Sequence, residues 1–377
     1  MVAYLDYNAS APIEADVLNY MIDIYTNNIG NASSRTHQYG AQAKKIVEQS
    51  RKTIADILGV DQMEVIFTSG ATESDNMAVR GLERYAKESG KNHFITSSIE
   101  HKAVLESMRY LQKKGYPVDF IDPDEGGRIS ADAVIGRVTD KTVLVSVMHV
   151  NSETGIIQPV WEIGDYLKDK EVFFHIDATQ SFGKLNADLR ETAYDMLSVS
   201  AHKIRGPQGV GALILKRKKH LREYITPIVS GGGQEYGFRS GTLPVALIGG
   251  FGQAAKLYDE MGLMRSEKNR AIKQKLLSAI KSTEYVINGN PDYCIDNTIN
   301  ISFQDVDAEG IFVATKEYYA MSNGSACDSG SYHSSYVLKA MGLDDKRIRE
   351  AVRISWDYDT EVDFSELVAY VKGQQEE

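Results

Sequence analysis

The sequence predicts an α/β fold: a large domain with a mostly parallel sheet sandwiched by helices, and a smaller α+β domain. Short apolar runs alternate with longer amphipathic stretches up to residue 258, which is typical of strand–helix–strand units. Beyond that residue this alternation ends, and short strands mix with charged helical stretches. A chain of 377 residues is long enough for two domains. We therefore assign 13–258 to the large domain and 1–12 with 259–377 to the small domain.

Seven apolar runs are predicted to form the strands of the large sheet. They are 64–68, 93–96, 118–121, 143–149, 172–176, 196–199 and 210–215. Helical patterns lie between several of these runs, at 36–58, 73–89, 101–114 and 159–169. This alternation indicates parallel strands with helices on both faces of the sheet.

The second half of the chain has a different pattern. A charged helical stretch at 255–281 precedes short strands at 298–303 and 351–355. The segment 322–335, with sequence SNGSACDSGSYHSS, is rich in Gly and Ser and almost devoid of apolar residues. Such composition predicts a mobile loop.

Composition excludes several classes of protein. The net charge of −10, from 42 basic and 52 acidic residues, argues against direct binding to nucleic acid or to an anionic membrane. The sequence contains no run of about 18 apolar residues, so we expect no membrane span. The N-terminus lacks the basic start of a signal peptide. The two cysteines, Cys294 and Cys327, are too few for a disulfide framework, so we expect a cytoplasmic protein.

The most informative residues are an acid and a lysine. Asp177 ends the apolar run FFHIDATQ, and Lys203 follows the apolar and small residues of SVSAHKIRG. A buried acid is costly unless it meets a cation, and a lysine at the rim of a buried site loses its proton more readily. Pyridoxal phosphate (PLP) needs such a pair, a lysine for the Schiff base and an acid for the pyridine nitrogen. The alternatives are a helix cap for Asp177 and an exposed lysine.

Further polar motifs follow the predicted strands, where ligands of parallel sheets bind. In TSGATES the amides of Ala71 and Thr72 would open a helix and attract an anion, although an ordinary helix cap explains the motif equally well. His101 could stack on a cofactor, shuttle protons or be a surface residue. Ser200 and His202 could hold a phosphate beside the lysine. We predict no metal site.

Three candidates lie further along the chain. The glycine-rich segment GGGQEYGFRSGT at 231–242 contains Thr242 and permits close backbone approach, or it is an extended surface loop. Arg353 in the strand AVRIS needs a carboxylate partner, either a substrate or a structural acid. Cys327 has polar neighbours and is expected to be exposed and reactive, whereas Cys294 is interpreted as incidental.

Together these motifs resemble those of cysteine desulfurases of the NifS/IscS type, in the class V aminotransferase group of fold type I PLP-dependent enzymes. The resemblance runs nearly end to end, through YLDY, SSRTHQYGAQAKK, FTSGATESDN, EHKAVLE, MHVNSETGIIQP, HIDATQSFGK, SAHKIRGPQGVGAL, RSGTLPV and GSAC. This chain departs from the pattern at Ser10-Ala11, where the family often has two threonines, at Ala32, near which the family often has a proline, and in DSGSYHS after the cysteine.

The resemblance implies a cofactor site. Lys203 would carry PLP and shuttle protons, and His101 would stack on the ring. Asp177 would hold the pyridine nitrogen and Gln180 the phenolic oxygen. The phosphate would be bound by Ala71, Thr72, Ser200 and His202, which follow the same strands. The partner subunit's copy of Thr242 would also reach it, which implies a homodimer with shared sites.

The resemblance also implies a substrate and a product. Asn151, also near the cofactor, and Arg353 would grip the carboxylate of L-cysteine, and Cys327 would take its sulfur as a persulfide, leaving L-alanine. The persulfide would pass to an acceptor protein for iron–sulfur cluster assembly, tRNA thiolation, cofactor synthesis or DNA phosphorothioation. Alternatives are an aminotransferase, a selenocysteine lyase, or a sulfur-delivery partner dedicated to one such pathway.

Overall fold

The computed structural model describes residues 2–323 and 334–376. Its strands are β1 (Ala3–Tyr4), β2 (Val65–Thr68), β3 (His93–Ser97), β4 (Val118–Ile121), β5 (Thr142–Met148), β6 (Phe173–Asp177), β7 (Met196–Ser200), β8 (Gly211–Leu215), β9 (Tyr285–Ile287), β10 (Thr298–Phe303), β11 (Tyr319–Ala320) and β12 (Ala351–Ser355).

Helices connect most of these strands. They are α1 (Ala15–Asn27), α2 (Gln38–Leu58), α3 (Ala71–Arg80), α4 (Glu83–Ser89), α5 (Lys102–Lys113), α6 (Ala131–Ile135), α7 (Val160–Leu167), α8 (Asn186–Glu191), α9 (Leu221–Tyr224), α10 (Val245–Glu260), α11 (Gly262–Ile280), α12 (Ala308–Thr315), α13 (Tyr336–Ala340), α14 (Asp345–Arg349) and α15 (Ser365–Gln375). Within the described ranges, no helix is both long and apolar enough to cross a membrane.

The central sheet has seven strands in the order β2-β8-β7-β6-β5-β3-β4. Strand β8 is antiparallel to both of its neighbours, and the pairs among β7, β6, β5, β3 and β4 are parallel. All strands except β8 therefore point the same way. The predicted mostly parallel, seven-stranded α/β fold is confirmed, and the carboxyl ends of six strands meet at one edge.

The sheet is buried on both faces because its strands are apolar on both faces. On β6, Phe174 and Ile176 pack in one hydrophobic cluster with side chains of α2, α7 and α10. The preceding residue, Phe173, faces the other side of the sheet and packs in a second cluster with side chains of α3 and α5. The alternation of side chains along a strand thus fills two helical layers.

Two predicted helical stretches are each divided in the structure. The stretch 73–89 becomes α3 and α4. The Gly81 amide still donates to the Met77 carbonyl at 3.0 Å, but the Gly81 carbonyl leaves the helical pattern. It accepts instead from the Thr226 amide at 2.9 Å, which ties the break to a distant loop. The stretch 255–281 divides at Met261, whose φ and ψ of −103° and 6° lie outside the helical region.

The remaining strands form two smaller sheets, a parallel pair β1-β11 and an antiparallel sheet β12-β10-β9. Their core is a third hydrophobic cluster, in which Leu5 joins residues between 276 and 371. The N-terminal segment thus packs with the C-terminal part of the chain. The domain boundaries at residues 12 and 258 stay a prediction.

A buried ion pair fixes the edge strand β2. Arg51 on α2 makes two parallel hydrogen bonds to the Glu235 carboxylate, at 2.9 and 2.7 Å. The same carboxylate accepts from the Phe67 amide of β2 at 2.7 Å. Glu235 thereby joins the glycine-rich segment 231–242 to the strand that leads into TSGATES.

We expect Glu235→Ala to lower the free energy of unfolding by about 3–5 kcal/mol, because it leaves a buried guanidinium without its partner. Asp56→Ala is the control. It removes the exposed Lys52–Asp56 pair, which has a similar length of 2.6 Å, and should cost about 1 kcal/mol or less. Urea denaturation of both variants tests this, and equal losses would contradict it.

Candidate functional site

A cavity of about 580 Å³ opens where the carboxyl ends of β2, β3, β6 and β7 meet. Nine of the predicted site residues line it: Ala71, Thr72, His101, Asp177, Gln180, Ser200, His202, Lys203 and Arg353. They come from motifs up to 282 positions apart in the sequence (71 to 353). The topology of the central sheet brings eight of them together, because ligand sites of parallel sheets lie beyond the strand ends. Arg353 comes from β12 of the smaller antiparallel sheet.

Lys203 is held by the backbone of the N-terminal segment. It ends a short 3-10 turn (Ala201–Lys203) that follows β7. Its Nζ donates to the carbonyl oxygens of Asn8 and of Ala9, the latter at 2.9 Å. Two carbonyl acceptors orient the amine inside the cavity. These contacts could not be predicted from the sequence, because any residue type offers a backbone carbonyl.

Asp177 and Gln180 follow β6 into the same cavity. The Asp177 Oδ1 accepts from the Thr179 amide at 2.9 Å, so this carboxylate both caps the turn and lines the cavity. Gln180 donates from Nε2 to the Asn8 carbonyl at 3.0 Å. The Asn8 carbonyl is therefore shared by Gln180 and Lys203.

The start of α3 forms an anion-binding corner. The first amides of a helix have no partner within it and carry its positive dipole end. Gly70 precedes them with φ of 151°, and a Cβ on the neighbouring Gly211 would lie 2.8 Å from the Gly70 Cα. Glycine is thus required where β8 passes the turn. Thr72 and Ser200 add hydroxyl groups to the cavity lining beside these amides.

Both histidines of the site are held neutral. Burial lowers the pKa of His202 to about 4, helped by the nearby Lys203 and His101. Burial also lowers the pKa of His101. His101 caps α5, its Nδ1 accepting from the Ala103 amide at 3.2 Å. The proton of the neutral imidazole therefore lies on Nε2, and the ring orientation is fixed by the helix.

Arg353 lines the cavity and is also paired within the chain. Its Nη2 lies 2.5 Å from the Asp6 carboxylate, and its Nη1 donates to the Ser152 carbonyl at 3.2 Å. The sequence left two alternatives for the partner of Arg353, a substrate carboxylate or a structural acid. The structure shows the structural acid, Asp6. A guanidinium has five N–H donors, so this pairing is compatible with a second carboxylate in the cavity.

Two predicted residues are not brought into the cavity. The Asn151 Oδ1 accepts from the amides of Glu153 and Thr154, at 2.9 and 3.0 Å, and its Nδ2 donates to the Ile99 carbonyl. Thr242 is exposed on the loop before α10. Their proposed contacts stay predictions. The same holds for Cys327, which lies outside the described residues, as does most of the segment 322–335.

A set of buried polar residues lies behind the cavity, and the sequence did not point to it. The Glu100 Oε1 accepts from the Met148 amide at 2.9 Å and from Ser97. Burial raises the pKa of Glu100 to about 8, and repulsion from Asp177 adds to the shift. The only signal in the sequence was the acid in the motif SSIEHK, directly before His101.

Comparison with known proteins agrees with this geometry. The model of the family "Aminotransferase class-V" matches residues 3–363. Cysteine desulfurase IscS of Pasteurella multocida (strain Pm70) is 40% identical over 374 residues, which cover 98% of this chain and 92% of that protein. The structure of a NifS-like protein superimposes with a TM-score of 0.89 at 33% identity, covering 100% of this chain and 99% of the other.

A further structure, titled SspA in complex with cysteine, matches with a TM-score of 0.83 at 36% identity, over 94% of this chain and 98% of that one. This chain belongs to the class-V aminotransferase family. Within it, the identity and coverage of the relatives place the chain among the cysteine desulfurases. The resemblance seen in the sequence motifs is confirmed.

We expect Glu100→Gln to stabilise the protein more at pH 8.5 than at pH 5.5. The folded state retains a proton on Glu100 up to about pH 8, whereas the ordinary pKa of a glutamate carboxyl is 4.5. Its favourable contribution is therefore complete below pH 4.5 and declines as the pH rises towards 8. A glutamine is neutral at every pH, so the stability of the Glu100→Gln variant does not decline for this reason.

The relative gain should reach at least about 1 kcal/mol, since one pKa unit corresponds to about 1.4 kcal/mol. Urea denaturation at the two pH values measures it. Glu106→Gln is the control, because Glu106 is exposed on α5 and pairs there with Arg109. A gain for Glu100→Gln that does not change with pH would contradict the buried, protonated carboxyl.

Proposed function

We propose that this protein is a PLP-dependent cysteine desulfurase, which converts L-cysteine to L-alanine and carries the sulfur as a persulfide on Cys327. The observation that carries the proposal is the convergence of Lys203, Asp177 and an anion-binding helix start in one cavity. The relatives named cysteine desulfurase and the SspA structure titled as a complex with cysteine support the same reaction and substrate.

The residues present fit the cofactor. PLP has a phosphate, an aldehyde and a pyridine nitrogen, and when bound it supplies an electron sink. The amides at the start of α3, with Thr72, Ser200 and neutral His202, are suited to the phosphate. Lys203 is suited to the aldehyde and Asp177 to the ring nitrogen. His101, fixed by its cap contact, presents a neutral ring to the same cavity.

The chain's own groups then share the work on L-cysteine. Lys203 moves a proton at the substrate α-carbon, because its amine is the base in the cavity. The Arg353 guanidinium binds the substrate carboxylate. Cys327 attacks the substrate sulfur as a thiolate: a sulfur–sulfur bond forms, the carbon–sulfur bond breaks, and the former β-carbon gains a proton to give L-alanine.

The flank of the cysteine segment supports this role. Arg353 donates its backbone amide to the Ser322 carbonyl at 2.7 Å, so Ser322 lies against a residue that lines the cavity. Cys327 follows Ser322 by five residues, a length of chain that spans at most about 18 Å. We therefore propose that the Cys327 thiol reaches the substrate from this side of the cavity.

We propose that the working protein is a homodimer in the cytoplasm. Leu18, Ile22 and Tyr25 form an exposed apolar stripe on one face of α1, since residues three and four apart share a helix face. Helix α1 packs on α10, and Thr242 precedes α10 by three residues. A second copy on this face would cover the stripe, and the partner's copy of Thr242 would approach the phosphate.

Ile22→Glu should therefore shift the protein towards the monomer, because it places a charge in an apolar contact. Analytical ultracentrifugation measures the change. Leu263→Glu is the control: Leu263 is also exposed but lies on α11, away from the stripe. A dimer that resists Ile22→Glu, or one that both variants weaken equally, would refute this interface.

The sulfur acceptor is proposed to be a second protein, in iron–sulfur cluster assembly or in tRNA thiolation. A persulfide is transferred by thiol attack on its outer sulfur, so the acceptor needs a reactive thiol. Mixed disulfides formed by Cys327 in cells, isolated and identified by mass spectrometry, would name it.

Cys327→Ser should keep the visible absorbance of bound PLP and lose the formation of both sulfide and alanine from L-cysteine. The assay contains no 2-oxo acid, so that alanine formation by the parent protein also excludes transamination. Cys294→Ser is the control, because Cys294 is half-buried and burial raises the pKa of its thiol. Normal turnover by Cys327→Ser would remove the cysteine from the mechanism.

A further inference from the structure

A second cavity, of about 260 Å³, lies apart from the catalytic cavity and shares no lining residue with it. Its walls come from α10, α11 and the segments 183–185 and 294–297. The volume is far above the roughly 10–15 Å³ that one water needs, and just below the roughly 300 Å³ at which sites for drug-sized ligands begin. A small organic molecule is the size of ligand that fits.

Two of the three cations in its wall are already compensated. Arg265 pairs with Asp357 at 2.8 Å and with Glu14 at 3.3 Å. Arg270 pairs with Asp296 at 3.1 Å. Neither guanidinium therefore requires an anionic ligand.

Lys184 differs from these arginines. Across residues 2–323 and 334–376 it forms no ion pair, and its Nζ has one long contact, to the Gln180 Oε1 at 3.4 Å. Burial lowers the pKa of its ammonium to about 8, and the nearby Asp357 carboxylate offsets this only in part, so the charge is poorly compensated. A carboxylate in the cavity would supply the missing countercharge.

Asn269 is the second group without its expected partner. It is only 8% exposed, and its side-chain Oδ1 accepts no hydrogen bond from the described residues. Its backbone carbonyl is satisfied by the Trp356 indole at 3.0 Å, so the unmet capacity belongs to the side chain alone. A buried acceptor without a donor is unfavourable, and a ligand with an N–H or O–H group would satisfy it.

We propose that this second cavity binds a small carboxylate that carries a neighbouring hydroxyl or amino group. Lys184 pairs with the carboxylate, and the Asn269 Oδ1 accepts from the hydroxyl or amino donor. One compensating cation selects a monoanion over a phosphate dianion. The donor next to the carboxylate distinguishes the ligand from a plain fatty acid.

The cavity is linked to the catalytic one through a single side chain. Gln180 accepts from Lys184 on one oxygen and donates from Nε2 to the Asn8 carbonyl, which also accepts from Lys203. A ligand that draws the ammonium away from Gln180 changes the contacts of a residue in the catalytic cavity. Binding at the two cavities is therefore coupled, and the coupling is reciprocal.

Calorimetric titration with L-lactate and with propionate tests the site, because these monoanions differ by one hydroxyl group. The parent protein should bind one L-lactate per chain, at least threefold more tightly than propionate. Lys184→Met should weaken L-lactate binding at least tenfold, and Lys184→Arg should largely restore it. Asn269→Leu should abolish the preference for L-lactate. Thermal unfolding confirms that each variant is folded.

Lys216→Met is the matched control. Lys216 is also a partly buried lysine with a lowered pKa, but its ammonium lies 3.9 Å from the Tyr194 ring and lines neither cavity. This variant should bind L-lactate like the parent protein. L-Lactate should also change the dissociation constant of PLP at least twofold in the parent protein and not in Lys184→Met.

Two results would overturn the proposal. One is a folded parent protein that binds no L-lactate at tens of millimolar. The other is binding that survives Lys184→Met and disappears in Arg353→Met, which would place the carboxylate in the catalytic cavity. Lactate binding is measured without turnover of L-cysteine, so its failure is distinguishable from a failure of the proposed desulfurase activity.

Discussion

The hydrogen bonds of Asn8 are the constraint on which the catalytic cavity depends. Its carbonyl oxygen accepts from both Lys203 and Gln180, which follow strands of the central sheet. Its amide nitrogen donates to Ser355 at 3.0 Å, and its side chain donates to Thr298 at 2.9 Å. Ser355 and Thr298 belong to the small antiparallel sheet. One buried residue thus connects both sheets to the proposed cofactor-binding lysine.

This connection explains why the N-terminal segment folds with the C-terminal part of the chain. Leu5 anchors the segment in the third hydrophobic cluster, and Asp6 pairs with Arg353, which lines the cavity. The segment is short, so the positions of Leu5, Asp6 and Asn8 are fixed together. A shift of the small sheet would therefore move Arg353 and Lys203 at the same time.

The sequence predicted the central sheet well because each strand is apolar enough to be recognised alone. The run VLVSVMH, for example, becomes β5, and all seven residues of that strand are buried. Asp177 and Lys203 were predictable for a related reason. Charged residue types are unusual at the end of a buried strand, so their presence there indicated a functional site.

The contacts that hold those residues could not be predicted in the same way. Asn8 binds Lys203 through a backbone carbonyl, which has no residue-specific signal. Arg353 required an acid, but the acid is Asp6, 347 residues earlier in the chain, and the sequence contains 52 acidic residues. The division of the 73–89 stretch into two helices likewise depends on a hydrogen bond from Thr226. Long-range partners are decided by packing, which a single sequence does not display.

The charge states around the cavity show how burial prepares it for chemistry. Burial keeps His101 and His202 neutral by lowering their pKa values, and it keeps Glu100 protonated up to about pH 8. These three neighbours of Asp177 and Lys203 therefore add little charge near neutral pH. In such surroundings a charge on either residue is poorly screened by solvent, so an ammonium, a carboxylate and a bound anion act on one another strongly. The same low screening makes the lone ammonium of Lys184, one side chain away, sensitive to any anion that reaches it.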